Sequence, residues 1–234
     1  MTDARYRDGM RVMLPLMPAI VAFGASFGVL ARAAGIDSLA ALVMSATTFA
    51  GSAQFAVVSV LGAGGTAAAA IGAAVLLNAR YAPMALAASG AFRGGPLRRL
   101  LEAQLLVDES WALSSRGGRF DRKLLLGAGG ILYVGWNAGT AIGVLAGDRL
   151  TDPATLGLDA AFPALFLALL APLVRSGGRN PVAAAVMGAG IALALTPITP
   201  AGVPVIAATA ACLVGLIGPP RDAAPGRLAQ EASS

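Results

Sequence analysis

The chain has 234 residues, of which 57% are apolar and 12% are charged, and its net charge is +5. Soluble domains usually carry about 25% charged residues, so this composition excludes an ordinary water-soluble fold. It predicts an all-α polytopic integral membrane protein. With no His and a single Cys, the chain offers no zinc site, no disulfide framework and no catalytic couple that needs His. The basic charge fits loops that face anionic lipid and gives no indication of nucleic acid binding.

Seven apolar runs follow one another, and each is a candidate membrane segment. They cover about residues 12–31, 39–61, 66–91, 124–146, 158–174, 181–195 and 203–217. Pro15 and Pro18 lie near the start of the first run, where proline costs a helix least. It also contains Gly24 and Gly28, whose spacing favours close approach of another helix. We expect one transporter domain over residues 1–220 and a disordered cytoplasmic tail over 221–234, because that tail is polar and rich in Ala and Pro.

Basic residues mark cytoplasmic loops, and two stretches carry them in excess. One is the N-terminal segment with Arg5 and Arg7, which we expect to be a short cytoplasmic tail, and the other is the stretch 92–123. Three simple crossings between the two would place them on opposite sides. We therefore predict six or seven membrane segments with at least one broken or re-entrant helix. The run 39–61 is the preferred candidate, and entry of residues 99–115 into the membrane is the alternative.

Two segments of the chain are similar to each other. Residues 24–31 read GASFGVLA, and residues 139–146 read GTAIGVLA. The similarity suggests a two-fold internal repeat with halves at about 10–91 and 124–218, a common architecture of secondary transporters. Chance similarity between low-complexity segments is the alternative, and the sequence leaves open whether the halves would be parallel or inverted.

Polar residues inside the second and third runs mark a candidate substrate site. The hydroxyl groups alone favour a helix-packing seam, but a primary amide in lipid needs several hydrogen-bond partners, and an arginine at membrane depth marks a pathway, a substrate or a partner. We expect backbone N–H groups at residues 51–53 to hold a substrate carboxylate at a helix break. Arg80 either contacts that carboxylate or holds two helices together. The predicted substrate-binding residues are Ser45, Thr48, Gly51, Ser52, Gln54, Asn78 and Arg80, with Trp136 and Asn137 shaping the pocket.

Two adjacent acids, Asp108 and Glu109, are the candidates for energy coupling. The chain has no phosphate-binding GxxxxGK[ST] motif, so a proton gradient is the simplest driving force. A carboxyl group in a partly buried place can carry a proton or balance a substrate ammonium group. A solvated amphipathic helix in the loop is the alternative interpretation.

Several short motifs, taken in order, resemble one transporter family. They are Gly24-xxx-Gly28, Met44-Ser45 with residues 50–55 (AGSAQF), Asn78-Ala-Arg80, Val107-Asp108-Glu109 and Trp136-xx-Gly139-Thr140-xx-Gly143. Over about residues 10–175 the chain resembles the AzlC family, the large subunits of bipartite branched-chain amino acid exporters. Val107 stands where the family motif has Thr, and the two acids are in place.

The resemblance implies a multi-pass permease of the cytoplasmic membrane that exports hydrophobic amino acids together with a small AzlD-type membrane subunit. We expect no enzyme activity, because no nucleophile and base are apparent, and we expect no cofactor and no metal. An ion or small-solute channel and a non-transporting membrane scaffold remain as alternatives. The N-terminus is expected on the cytoplasmic side.

Overall fold

A computed structural model describes residues 4–116, 119–147, 179–199 and 203–211, together with residues 167, 170–171 and 174–175. The described part is almost entirely helical. Its helices are α1 (Ala4–Met13), α2 (Met17–Ala33), α3 (Ser38–Thr48), α4 (Gly51–Gly62), α5 (Ala67–Asn78), α6 (Tyr81–Ala88), α7 (Pro96–Ala103), α8 (Asp108–Ser114), α9 (Arg122–Gly147), α10 (Arg179–Leu195) and α11 (Val203–Ala208). Short 3₁₀ segments cover Leu14–Leu16 and Ser89–Ala91, and a two-residue hairpin pairs β1 (Ser115–Arg116) with β2 (Arg119–Phe120).

Within the described residues, three helices are long and apolar enough to cross a membrane: Arg5–Ala33, Ala67–Ala91 and Arg122–Gly147. They correspond to the first, third and fourth apolar runs. The apolar helices α3 and α4 and the segment Val182–Leu195 are shorter. The predicted fifth run and the predicted C-terminal tail lie almost wholly outside the described residues.

The N-terminal segment is not a free tail, which corrects the prediction made for it. Residues from Ala4 onward form α1, which continues into α2 through the 3₁₀ segment at Pro15. The segment packs against α9, and Gly9 and Gly127 allow this contact. A Cβ atom on Gly127 would overlap the Tyr6 carbonyl oxygen, and one on Gly9 would stand 2.6 Å from the carbonyl oxygen of Leu124. The polar N-terminal residues therefore belong to the first long helix.

Helices α2 and α9 pack in parallel through the two similar glycine motifs. A Cβ on Gly24 would overlap the Trp136 carbonyl oxygen, and one on Gly28 would stand 2.5 Å from that of Thr140. From the α9 side, a Cβ on Gly143 would overlap the Ala25 carbonyl oxygen of α2. Residue numbers rise together along both helices, so the helices run in the same direction. This is the arrangement expected of parallel rather than inverted halves, and the repeat itself stays a prediction.

Helices α3 and α4 form a hairpin that starts and ends near the C-terminal end of α2. Ala34, just after α2, has its Cβ 3.8 Å from the position of a Cβ on Gly62, the last residue of α4. At the other end of the hairpin, the ring of Phe49 lies 5.0 Å from that of Tyr133, near the middle of α9. The prediction of a broken element in the run 39–61 is therefore confirmed, and its two arms turn back on each other.

The segment Ala67–Ala91 returns toward the N-terminal ends of α2 and α9. Four residues separate its first residue from the last residue of the hairpin. Near its other end, Ala88 packs in a cluster with Phe92 and with Leu125, which lies near the start of α9. The start of α9 therefore lies at the same end of the bundle as the start of α1, in agreement with the distribution of basic residues.

A second, shorter hairpin consists of α7 and α8. Between its two arms, the carbonyl of Leu105 packs against Gly129 in α9. The end of α8 then lies at the start of α9, because the Asp121 N–H donates to the Ser114 carbonyl oxygen at 2.9 Å. The alternative prediction, that residues 99–115 supply a complete crossing, is wrong because both arms of this hairpin end at the same end of α9.

A cluster of ion pairs fixes the base of the second hairpin. Both Nε and Nη2 of Arg122 donate to the carboxylate of Glu102, and Arg98 Nε donates to it at 2.9 Å. The pKa of Glu102 is lowered to about 2, chiefly by the hydrogen bonds from Arg122 and also by Arg98, against its burial, which alone would raise it. Nearby, Arg5 pairs with Asp121 and so ties α1 to the start of α9. These contacts join the N-terminal ends of α1 and α9 to α7.

Candidate functional site

The break between α3 and α4 borders an open cavity of about 570 Å³, in whose wall Ile71 and Val75 are exposed. Its walls come from α3, α4 and α5, and most of them are apolar. The lining residues are Met44, Thr48, Ala53, Val57, Ile71, Ala74, Val75, Asn78 and Ala79. Among these described residues there is no charged side chain, and the polar side chains are those of Thr48 and Asn78. A volume of this size is typical of small-molecule sites, which combine apolar walls with a few polar groups.

The break itself is a sharp change of backbone direction at two residues. Phe49 has a φ of 37°, in the left-handed region that residues with a Cβ rarely adopt, and Ala50 is extended. The carbonyl groups at the end of α3 are satisfied from other helices. Gln104 Nε2 donates to the carbonyl oxygens of Ala46 and Thr47 at 3.2 and 2.7 Å, and the Tyr133 hydroxyl donates to Ala46 at 2.9 Å. Non-helical backbone at membrane depth needs such protein partners.

The first turn of α4 carries polar atoms that the described protein does not satisfy. Gln54 is fully buried, and neither its Oε1 nor its Nε2 has a hydrogen-bond partner among the described residues. The Ser52 hydroxyl is likewise buried without a hydrogen-bond partner among the described residues. The ring of Trp136 covers Gly51, since a Cβ at that position would stand 2.8 Å from the indole. The turn is thus buried, and unmet hydrogen-bonding capacity of this kind is rare in proteins without a functional reason.

Two other predicted residues use their side chains within the protein. The Ser45 hydroxyl lies 3.0 Å from that of Thr140, and both residues are completely buried between α3 and α9. Asn137 Nδ2 donates to the Tyr133 carbonyl oxygen, one turn earlier in its own helix. The Ser45–Thr140 contact joins α3 to α9, as expected of small polar residues in a membrane bundle, whereas the Asn137 bond stays within α9.

Arg80 and Asp108 were predicted for different tasks, but the structure pairs them. Arg80 Nη2 donates to Asp108 Oδ2 at 2.7 Å, and its guanidinium group lies 5.0 Å from the ring centroid of Tyr81. Arg80 lies at the turn between α5 and α6, directly after the cavity-lining Asn78 and Ala79, and Asp108 is the first residue of α8. Glu109, the other predicted acid, is exposed.

The structure thus divides the predicted site residues into groups. Thr48 and Asn78 line the cavity, and Gly51, Ser52, Gln54 and Trp136 belong to the buried break beside it. Gln104 and Tyr133, which complete the break from α7–α8 and α9, were not predicted for this role. For Gln104 the only signal in the sequence was a primary amide in a largely apolar stretch.

Comparison with known families agrees with this geometry. The model of one family, described as AzlC protein, matches residues 15–150, which include α2 to α9. The chain belongs to the AzlC family. The match covers the cavity, the broken helix and the Arg80–Asp108 pair, and it confirms the resemblance seen in the sequence motifs. AzlC is a transport-associated family, and its membership places this chain among membrane proteins.

Related proteins from other organisms are membrane proteins as well. A protein of Archaeoglobus fulgidus described as an uncharacterized membrane protein is 34% identical, over 89% of this chain and 93% of its own length. A Helicobacter pylori protein with the same description is 25% identical, over 70% of this chain and 73% of its own length. No solved structure matches the chain.

Proposed function

We propose that this AzlC-family protein is a secondary transporter that exports branched-chain or other hydrophobic amino acids across the cytoplasmic membrane. The observation that carries the proposal is the cavity of about 570 Å³ at the break between α3 and α4. Its apolar walls suit an aliphatic side chain, and Thr48 and Asn78 supply hydrogen bonds. A broken helix beside such a cavity is a recurrent feature of transporter sites.

The size and lining of the cavity favour a small aliphatic ligand. Met44, Val57, Ile71 and Val75 contribute flexible or branched apolar side chains, and no aromatic ring lines the described wall. Burial of apolar surface stabilises a bound aliphatic side chain by roughly 25 cal/mol per Å². The family relationship supports the same substrate class, and it supports a small AzlD-type membrane subunit as the partner.

Proton coupling completes the proposal. The Asp108 carboxylate is paired with Arg80, which lies within the apolar segment Ala67–Ala91, and Glu109 lies beside it without being enclosed. A carboxylate whose counter-ion moves during transport changes its preference for a proton, because an opposite charge nearby favours the ionised form. The two acids are therefore the groups that we propose for coupling export to a proton gradient.

A counterflow experiment tests the proposal. The full chain is reconstituted into liposomes with and without an AzlD-type subunit, the liposomes are preloaded with unlabelled leucine, and uptake of labelled leucine is followed. A transporter accumulates label transiently, a channel gives flux without counterflow, and a scaffold gives neither. Either of the last two results, obtained with the partner present, would reject a transporter.

Two matched substitutions link the flux to the cavity. Ala74→Phe fills the cavity from α5, so we expect it to abolish counterflow. Ala87→Phe makes the same change in α6, at an exposed position outside the cavity lining, and should leave counterflow intact. Equal effects of the two substitutions would show that the substrate binds elsewhere.

A further inference from the structure

The Arg80–Asp108 ion pair is incomplete as a structural contact. Arginine and carboxylate side chains frequently form two parallel hydrogen bonds. Here a single bond joins Nη2 to Oδ2, and Arg80 Nε is buried without a hydrogen-bond partner among the described residues. The pair therefore leaves donor capacity on the guanidinium group unused.

The pair is also accessible. The exposed fraction is 37% for the Arg80 side chain and 46% for that of Asp108, so neither charge is sealed inside the protein. By contrast, the Glu102 side chain, which accepts from Arg122 and Arg98 at the base of α7, is 9% exposed. The described protein therefore leaves the first pair open, whereas the Glu102 carboxylate is enclosed by its partners.

Arg80 lies next to the cavity in the chain. The preceding residues, Asn78 and Ala79, both line it, and Asn78 Oδ1 is a buried acceptor without a partner among the described residues. An acceptor of this kind fits an ammonium group, and the unused guanidinium donor fits a carboxylate. Asn78 thus offers an acceptor in the cavity wall, and Arg80, two residues further along the chain, offers a donor.

We infer that the Arg80–Asp108 pair occupies the charge-recognition site when no substrate is bound, and that an α-amino acid opens the pair by inserting between its members. The substrate carboxylate then accepts hydrogen bonds from Arg80, and its ammonium group donates to Asp108 and to Asn78 Oδ1. The aliphatic side chain extends into the apolar cavity. This inference rests on the proposed transport function and specifies the ligand class, a zwitterion.

Charge balance is the physical reason for this specificity. Opening one ion pair exposes one positive and one negative charge at membrane depth, where an unpaired charge is costly. A zwitterion restores both pairings, so one ion pair is replaced by two. A ligand with only a carboxylate leaves Asp108 unpaired, and a ligand with only an ammonium group leaves Arg80 unpaired. The site should therefore reject singly charged analogues of the same shape.

Inhibition of leucine counterflow by two analogues tests the inference. The analogues are 4-methylpentanoate, which lacks the ammonium group, and 3-methylbutylamine, which lacks the carboxylate. In the wild-type protein each should inhibit at least about tenfold more weakly than leucine, because a hydrogen bond to a charged group contributes about one order of magnitude or more in affinity. If either analogue inhibits as well as leucine does, the inference is wrong.

Opposite shifts in analogue preference are expected for two variants that each remove one charge. Asp108→Asn removes the negative charge, so 4-methylpentanoate should gain about tenfold relative to leucine, while the amine should not gain. Arg80→Gln removes the positive charge, so 3-methylbutylamine should gain about tenfold relative to leucine, while 4-methylpentanoate should not gain. Unchanged inhibition ratios in a folded variant would overturn the inference, and each variant decides the question on its own if the other does not fold.

A matched control separates charge recognition from general damage. Arg5→Gln breaks the Arg5–Asp121 pair at the N-terminal end of α1, on a residue that has no role in the cavity. It should leave all three inhibition constants in their wild-type ratio. If wild-type protein shows no leucine counterflow with its partner, the transport function itself fails. If counterflow is present and the ratios do not respond to the variants, the zwitterion site alone fails.

Discussion

Gln104 Nε2 donates to the Thr47 carbonyl oxygen at 2.7 Å, and this hydrogen bond joins the tips of the two helical hairpins. The same amide reaches the carbonyl oxygen of Ala46 at 3.2 Å. Helix α3 ends at these carbonyls, which an uninterrupted helix would have bonded internally. The second hairpin thus supplies the partner that allows the first one to break inside the bundle.

Gln104→Ala should loosen this break. Loss of the amide takes the side-chain donor from the Thr47 carbonyl, whereas the Ala46 carbonyl keeps the Tyr133 hydroxyl, so we expect a loss of about 1 kcal/mol, typical of one hydrogen bond. We expect a lower unfolding temperature and faster hydrogen exchange of the backbone amides around Phe49 and Ala50, measured by mass spectrometry in nanodiscs. Leu101→Ala, at an exposed position on α7, serves as the control. Unchanged exchange at residues 47–53 would show that Tyr133 alone maintains the break.

Gln54→Leu should stabilise the protein and abolish transport. The buried amide of Gln54 lacks partners among the described residues, so replacing it with an apolar side chain of similar size removes a desolvation penalty of roughly 1–3 kcal/mol. The same amide is predicted to orient the substrate. We therefore expect both Gln54→Leu and Gln54→Ala to lose counterflow while the protein stays inserted. Normal transport by both variants would place the site elsewhere.

Gly143→Val should destabilise the parallel pair formed by α2 and α9. The new side chain would overlap the carbonyl of Ala25, and overpacking of this kind costs about 1–3 kcal/mol. Gly130→Val makes the same change in the same helix, at a position where a Cβ meets no other atom within 4 Å, so it controls for helix propensity. The difference between the two unfolding temperatures in detergent measures the packing effect. Equal temperatures would argue against close packing of the two glycine motifs.

Asp108→Asn should uncouple transport from a proton gradient. The variant resembles permanently protonated Asp108, so leucine exchange at saturating concentration should continue, because exchange needs no net proton movement. Uphill accumulation driven by a pH gradient should stop. Glu109→Gln is the companion variant, since that side chain is exposed and makes no ion pair in the described structure. If both variants still pump leucine uphill, neither acid is the coupling group.

Glu102→Gln should remove an acid-dependent part of the stability. The pKa of Glu102 is lowered from 4.5 to about 2, so its ion pairs stabilise the protein above pH 4.5 and are lost as the pH falls toward 2. We expect the variant to be less stable than wild type at pH 7, with a difference that shrinks between about pH 4.5 and pH 2. Thermal unfolding of both proteins across this pH range measures the difference in stability. A difference independent of pH would mean that shape, and not charge, holds the base of α7.

Much of the fold was predictable because membrane proteins obey a simple constraint. Apolar runs marked the three long helices, and the polar residues around Gly51 marked the break, since hydrocarbon tolerates broken helices only where the protein supplies partners. The basic residues at both ends of the first three runs required an even number of crossings. The hairpin of α3 and α4 meets this requirement. The N-terminal segment was misjudged because its charges suggested a free tail, whereas Gly9 and Gly127 allow it to pack on α9.

The pairing of polar groups was decided only by the tertiary structure. The sequence by itself indicated that Gln54 and Arg80 are costly in a membrane and need partners, and it left open whether Asp108 is buried or lies on a solvated loop. It contained no information on which partner each would meet, because the partners lie on other helices and the distances depend on how those helices cross. Packing of α3 on α9 brought Ser45 to Thr140, and the approach of α8 to the turn after α5 brought Asp108 to Arg80. Gln54 meets no hydrogen-bond partner in the described part of the chain, and for that reason a bound substrate is its proposed partner.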